Sequence, residues 1–142
     1  KRYFEQLHNI CRYQSVNNIY FVGGRSEIRP FLNRFNIYVC CSLAESSPIA
    51  VWEAMSMGKA IVSTDVGDVP LYVRHNHNGF IVEVGDFKKM SDYISVLILD
   101  ELLRLKFGGL SRNIAVNQLD SRLCAIRHLK AFTDIQNQED IS

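Results

Sequence analysis

The sequence predicts an α/β fold: a Rossmann-like parallel sheet with helices on both faces. Two observations lead there. The strand-like segments are short, continuous apolar runs, the pattern of strands buried on both sides, as in Ile37-Tyr-Val-Cys-Cys41 and Lys59-Ala-Ile-Val-Ser63. They also alternate with segments of helical spacing, the order of a sheet built from crossover connections. At 142 residues, 47% of them hydrophobic, the chain is one domain's worth and can bury a core.

Tyr3, Phe4, Leu7, Ile10 and Cys11 recur at helical spacing with no cap ahead of them. The chain therefore reads as a piece of something longer. Residues 18–22 are expected to form a first strand, closed by Gly23-Gly24. A helix over 26–34 follows, with Ser26 as N-cap and Ile28, Phe31 and Leu32 inward; Pro30 is tolerable near its start. After strand 37–41 comes a loop and a helix that opens at Ser47 (N-cap) and Pro48 and closes at Gly58. Strand 59–63, a turn 64–70, a short helix near 71–74 and strand 80–82 complete four strands.

Asp86 should cap a helix with Met90, Tyr93, Ile94, Leu97 and Ile98 inward. Asp100 should cap the next, with Leu102, Leu103, Leu105 and Phe107 inward, ending at Gly108-Gly109. A last amphipathic helix is expected over 111–132, through Ile114, Leu119, Leu123, Ile126 and Leu129. The domain then spans 1–133, and the polar tail 134–142 should fray.

Sixteen basic and fifteen acidic residues leave a formal charge of +1, with the basic residues scattered, so no nucleic-acid partner is expected. No apolar run approaches the ~20 residues that span a bilayer, and Lys1–Glu5 does not read as a signal peptide. The four cysteines make no C-x-x-C pair. Cys40 and Cys41, adjacent in one strand, point to opposite faces and read as small hydrophobes in a reducing compartment. The expected localisation is cytoplasmic, or the cytoplasmic face of a membrane.

In open parallel sheets ligands bind beyond the carboxyl ends of the strands. The loops there are 23–25, 42–47, 64–68 and 83–85. The second leads into a helix start whose free N–H groups at Ile49 and Ala50 suit an anion. Glu45 precedes that start and Glu53 lies inside the helix. An anion seat with a carboxylate on each side fits a ligand bearing both phosphate and sugar hydroxyls. The bland reading makes Glu45 an exposed loop acid and Glu53 a solvated one. Against it, Trp52, Ala54 and Met55 around Glu53 suggest a buried helix in which a carboxylate needs a partner. Gly23-Gly24-Arg25 is either a phosphate or base loop or a plain turn. His75 and His77 read as solvated, with no metal site. The charged faces of the C-terminal helices, with Arg104, Lys106, Arg112 and Arg122, read as wet surface.

The run Glu45-Ser-Ser-Pro-Ile-Ala-Val-Trp-Glu53-Ala-Met-Ser-Met-Gly58, continuing to Val66-Gly67-Asp-Val-Pro70, resembles the signature of retaining GT-B glycosyltransferases of the glycogen-synthase and mannosyltransferase-like type. Asn78-Gly79-Phe-Ile-Val82 and Gly85-Asp86 match its later landmarks, and Ile19–Gly23 and Ile37–Ser42 its earlier strands. The resemblance implies the C-terminal, nucleotide-sugar-binding half of a two-domain enzyme. It implies that Glu45 contacts the donor sugar and steadies charge near the anomeric carbon, and that Glu53 binds the ribose. It further implies that backbone amides of Ser46, Ser47, Ile49 and Ala50 face the sugar and diphosphate, with Gly23, Gly24 and Arg25 near the base. The donor would be a UDP- or GDP-sugar, with no cofactor or metal, and the acceptor a lipid-linked sugar or glycan. The family's diphosphate-binding Arg and Lys and its acceptor domain are implied to lie upstream of residue 1, so these residues alone would not catalyse transfer. Leu71 departs from the pattern, where the family has Glu. The rival readings are a sugar-nucleotide epimerase of similar build and a non-catalytic module keeping the fold for partner binding. A flavodoxin-like signalling domain is disfavoured because no early acidic cluster is present.

Overall fold

Ile61 and Val62, neighbours on one strand, serve two different cores. In the computed structural model, which describes residues 2–139, they lie on β2 (Ala60–Thr64), the central strand of a three-stranded parallel sheet. β1 (Ile37–Cys40) and β3 (Gly79–Val82) flank it, with Val62 opposite both Val39 and Phe80. Every residue of β2 is buried, as period-two alternation demands of a strand covered on both faces.

The remaining elements are α1 (Arg2–Tyr13), α2 (Arg29–Arg34), α3 (Ile49–Ser56), α4 (Val69–Tyr72), α5 (Phe87–Leu99), α6 (Glu101–Gln118) and α7 (Ser121–Glu139). One face of the sheet buries Cys40 and Ile61 against Leu32 of α2, Val51, Ala54 and Met55 of α3, Val69 of α4 and Ala115 of α6. The other buries Ala60, Val62, Phe80 and Val82 against Met90 and Leu97 of α5 and Phe107 of α6. Helix α6 thus joins both layers. It can do so because Gly108 lies against the turn at Gly58: a Cβ on Gly108 would stand 2.2 Å from the Gly58 carbonyl oxygen.

That packing corrects the expectation that the helix stops at Gly108-Gly109. Both glycines sit inside α6, which continues to Gln118. The expected final helix is accordingly two, divided at Leu119-Asp120, with Asp120 Oδ1 accepting from the Arg122 N–H at 2.9 Å. Helix α7 runs on to Glu139, past the start of the tail expected to fray; residues 140–142 lie outside the described ones.

The strand expected at 18–22 does not form. Ile19, Tyr20 and Val22 are exposed, while the Phe21 ring packs edge-on against Phe4 and tilted against His8 of α1. Its apolar residues suit a strand, but strand geometry needs a ladder partner, and the edge of β1 is not it. Helix α2 starts later than expected. Ser26 does not cap it; the Glu27 carboxylate instead accepts from the Arg29 N–H at 3.0 Å and pairs with its guanidinium.

Several residues assigned to the core by spacing lie outside it. Ile98, Leu102, Leu105, Ile126 and Leu129 are exposed, and α1 has no buried residue. The two aspartate caps hold: Asp86 Oδ1 accepts from the Lys89 N–H at 2.9 Å and Asp100 Oδ1 from the Leu103 N–H at 2.8 Å. No helix among the described residues is long and apolar enough to cross a membrane. Cys11, Cys40, Cys41 and Cys124 are free thiols; Cys40 is buried and Cys41 exposed.

Candidate functional site

The loop between β1 and α3 sits at the carboxyl end of the sheet, and the last residue of β2 together with the turn after it clamps the loop on both sides of Glu45. Ahead of Glu45, Thr64 Oγ1 donates to the Ser42 carbonyl oxygen at 2.7 Å. Behind it, the Asp68 N–H donates to the Ser46 carbonyl oxygen at 2.8 Å. Gly67, at φ +49°, fits beneath the loop only because it lacks a side chain. The Glu45 carboxylate is exposed, and its Oε1 accepts from Ser42 Oγ at 2.9 Å.

Helix α3 begins one residue later than its sequence suggests. Pro48 is the N-cap, and its carbonyl accepts from the Val51 N–H at 2.9 Å. Ser47 therefore does not cap; its hydroxyl accepts from Trp52 Nε1 at 3.3 Å. The N–H groups of Ile49 and Ala50 belong to the first turn and have no intrahelical acceptor. At the other end Gly58, at φ +68°, makes a Schellman turn: the Gly58 N–H bonds Met55 O at 2.9 Å and the Lys59 N–H bonds Ala54 O at 3.0 Å.

Glu53 is exposed, contrary to the burial expected from its apolar neighbours. Val51, Ala54 and Met55 form the inward face of α3, and Glu53 projects from the opposite side. With Ile49, Trp52 and Ser56 it lines a groove of about 660 Å³ against the α6–α7 junction at Leu119 and Asp120.

A second cavity, of about 210 Å³, is lined by Gly23, Arg25, Phe31, Tyr38 and Ala50 among others. It brings the 23–25 loop to the start of α3. The Arg25 guanidinium lies 5.8 Å from the Phe31 ring centroid, a cation–π arrangement; Gly24 is exposed beside it. Tyr38 is half-buried there. Burial holds its phenol above the ordinary value, and the Cys40 thiol and the Glu53 and Glu45 carboxylates add to that. Neither Glu45 nor Glu53 lines this cavity.

Ser42, Thr64, Tyr38 and Trp52 are given no site role by the sequence, and Gly67 is named only within the motif. Gly67, in a turn after an apolar strand, carried the one usable signal. The turn 75–79 also differs from its reading. His75 is exposed, but its Nδ1 accepts from the Ile81 N–H at 3.1 Å and its ring packs on Phe80 and Tyr93. Asn78 is fully buried: its Oδ1 accepts from the Arg74 N–H at 2.7 Å, and its carbonyl accepts from Ser111 Oγ at 2.8 Å. Two arginines read as wet surface bond helix ends instead, Arg104 to Leu97 O at 2.6 Å and Arg112 to Ser56 O. Among the described residues no cluster of three or more His, Cys, Asp or Glu could hold a metal ion.

The clamped acidic loop and the start of α3 thus lie together at the carboxyl edge of a parallel sheet covered on both faces, the edge at which ligands bind in open α/β sheets. Residues 2–100 match the family Glycosyl transferases group 1, and the chain belongs to that family. It is 34% identical over 116 residues to the N,N'-diacetylbacillosaminyl-diphospho-undecaprenol alpha-1,3-N-acetylgalactosaminyltransferase of Campylobacter jejuni, covering 80% of this chain and 30% of the relative. The structure of Anabaena HepE in complex with UDP superposes with a TM-score of 0.89 at 21% identity, over 94% of this chain and 37% of that one. The C-terminal domain of a glycosyl transferase group 1 family protein (LpcC) from Francisella tularensis superposes with a TM-score of 0.75 at 22% identity, over 84% of this chain and 64% of that one. The chain spans about a third of the length of the curated relatives it matches. Its fold is one found within GT-B glycosyltransferases.

Proposed function

We propose that this chain is the donor-binding part of a retaining glycosyltransferase that moves a sugar from a nucleoside-diphosphate sugar to an acceptor. The observation that carries the reading is the clamped loop: it holds Glu45 just ahead of α3, whose first N–H groups have no intrahelical acceptor, at the carboxyl edge of the sheet. The structural neighbour with UDP in the same fold supports it.

In this reading the amides of Ser46, Ser47, Ile49 and Ala50 bind the donor's sugar and diphosphate. Glu45 accepts hydrogen bonds from sugar hydroxyls and stabilises positive charge as the anomeric bond breaks. Glu53 accepts from the ribose hydroxyls, and the base lies against Gly23, Gly24 and Arg25. No metal or cofactor takes part: the leaving diphosphate is neutralised by helix-start amides and by basic side chains of a preceding domain, which also binds the acceptor. That acceptor is a lipid-linked sugar or a glycan, met in the cytoplasm or at the cytoplasmic face of a membrane. Residues 1–142 alone bind nucleotide weakly and transfer nothing.

The test is calorimetry of UDP and GDP with the full-length protein, followed by proton NMR of the product formed from the matching donor. Nucleoside-diphosphate binding and an unchanged anomeric configuration are expected. No binding of either nucleotide would favour a non-catalytic module, and an inverted product would rule out retention.

A further inference from the structure

We infer that Ser42 is a positioning residue for Glu45, fixing one carboxylate oxygen so that the other is left to the donor sugar. The inference rests on the reading of Glu45 given above. The Ser42 hydroxyl donates to Glu45 Oε1 at 2.9 Å, and among the described residues it is the one side chain bonded to that carboxylate. A hydrogen bond to a carboxylate is stronger than a neutral one and holds a defined geometry.

Ser42 is itself held. Its carbonyl oxygen accepts from Thr64 Oγ1 at 2.7 Å, and Thr64 is 3% exposed on the central strand. The same hydroxyl lies 3.5 Å from the Cys40 carbonyl oxygen. The buried Cys40 thiol is 3.6 Å from Ser42 Oγ, so the serine accepts from the core side and donates outward to Glu45. On the far side of Glu45, Asp68 and Gly67 pin the Ser46 carbonyl.

The backbone around Glu45 is therefore fixed at two points, and what remains free is the glutamate side chain itself. An exposed glutamate samples several rotamers, whereas a group stabilising a transition state must already be in place when charge develops. Ser42 removes that freedom without touching the ligand. It acts on turnover through Glu45, not on nucleotide binding.

The test uses the full-length protein and its matched donor, with Ser42→Ala, Ser42→Thr, Glu45→Gln and the double variant Ser42→Ala/Glu45→Gln. Ser42→Ala should lower kcat by about tenfold while leaving the donor KM and the nucleoside-diphosphate Kd within about twofold. Ser42→Thr, which keeps the hydroxyl, should recover most of the rate. The double variant should be no slower than Glu45→Gln, because both changes remove one function. Multiplying losses in the double variant, or no rescue by threonine, would overturn the inference. So would wild-type turnover in Ser42→Ala beside an impaired Glu45→Gln, a result that leaves the Glu45 reading intact. Wild-type turnover in Glu45→Gln would sink both.

Discussion

A Cβ placed on Gly67 would stand 2.1 Å from the carbonyl oxygen of Ser46, inside any permissible contact. The turn after β2 and the loop carrying Glu45 therefore touch backbone to backbone. Gly67→Ala has no side-chain movement with which to relieve the clash, and its φ of +49° is unfavourable for alanine. We expect a loss of about 2 kcal/mol or more in stability, together with weakened nucleotide binding because the loop must shift. Urea denaturation checks the first and calorimetry the second. An unchanged midpoint would mean that the loop yields freely.

The two acids should separate by kinetics. Glu53 is exposed and contributes nothing to the core, so Glu53→Gln should leave stability unchanged while weakening nucleoside-diphosphate binding by about 1–3 kcal/mol. Glu45→Gln should bind the same ligand normally and lose turnover. Equal nucleotide affinities for Glu53→Gln and the parent protein would remove the ribose role.

Adjacent glycines in α6 should respond with opposite sign. Nothing lies within 4 Å of a Cβ on Gly109, so Gly109→Ala should stabilise the chain by ~0.5–1 kcal/mol through helix propensity. At Gly108 the same propensity gain is overwhelmed by the contact with the Gly58 carbonyl, and Gly108→Ala should destabilise. Thermal melts of the two variants decide it; two shifts of the same sign would contradict the backbone contact.

Tyr38 gives the site a defined alkaline signature. Burial, with the Cys40 thiol and the Glu53 and Glu45 carboxylates, raises the folded phenol above its ordinary value of 10.0. The unfolded phenol then ionises first, so the unfolded state binds fewer protons once the pH passes about 10. Stability attributable to this group is complete below that pH and declines as pH rises, levelling off only above the folded pKa. Tyr38→Phe should flatten that decline in urea titrations between about pH 9 and 11. An identical slope in the variant would show that the phenol is not the group responsible.

What could be read from the sequence was what is decided within a few residues. Asp86 and Asp100 cap their helices because a carboxylate reaches the N–H three residues on wherever the chain turns helical. Gly58 ends α3 because a left-handed residue there closes the Schellman turn. The alternation of apolar runs with helical spacing likewise marked a doubly covered parallel sheet, and the acid-framed helix start at its carboxyl edge was visible in the order Glu45, Pro48, Glu53.

Tertiary structure decided which apolar residues find a partner. Residues 18–22 have strand composition without a ladder neighbour, and Leu102, Leu105, Ile126 and Leu129 have core spacing without a surface to cover them. Gly108 reads as a helix stop by local propensity, yet it is a contact point, because Gly58, distant in sequence, approaches its backbone. The candidate site divides along the same line. Local chemistry marked Glu45 and Glu53, and the turn at Gly67 was visible as a turn, but Ser42 and Thr64 acquire their roles from β2 folding against the loop, a contact between residues distant along the chain.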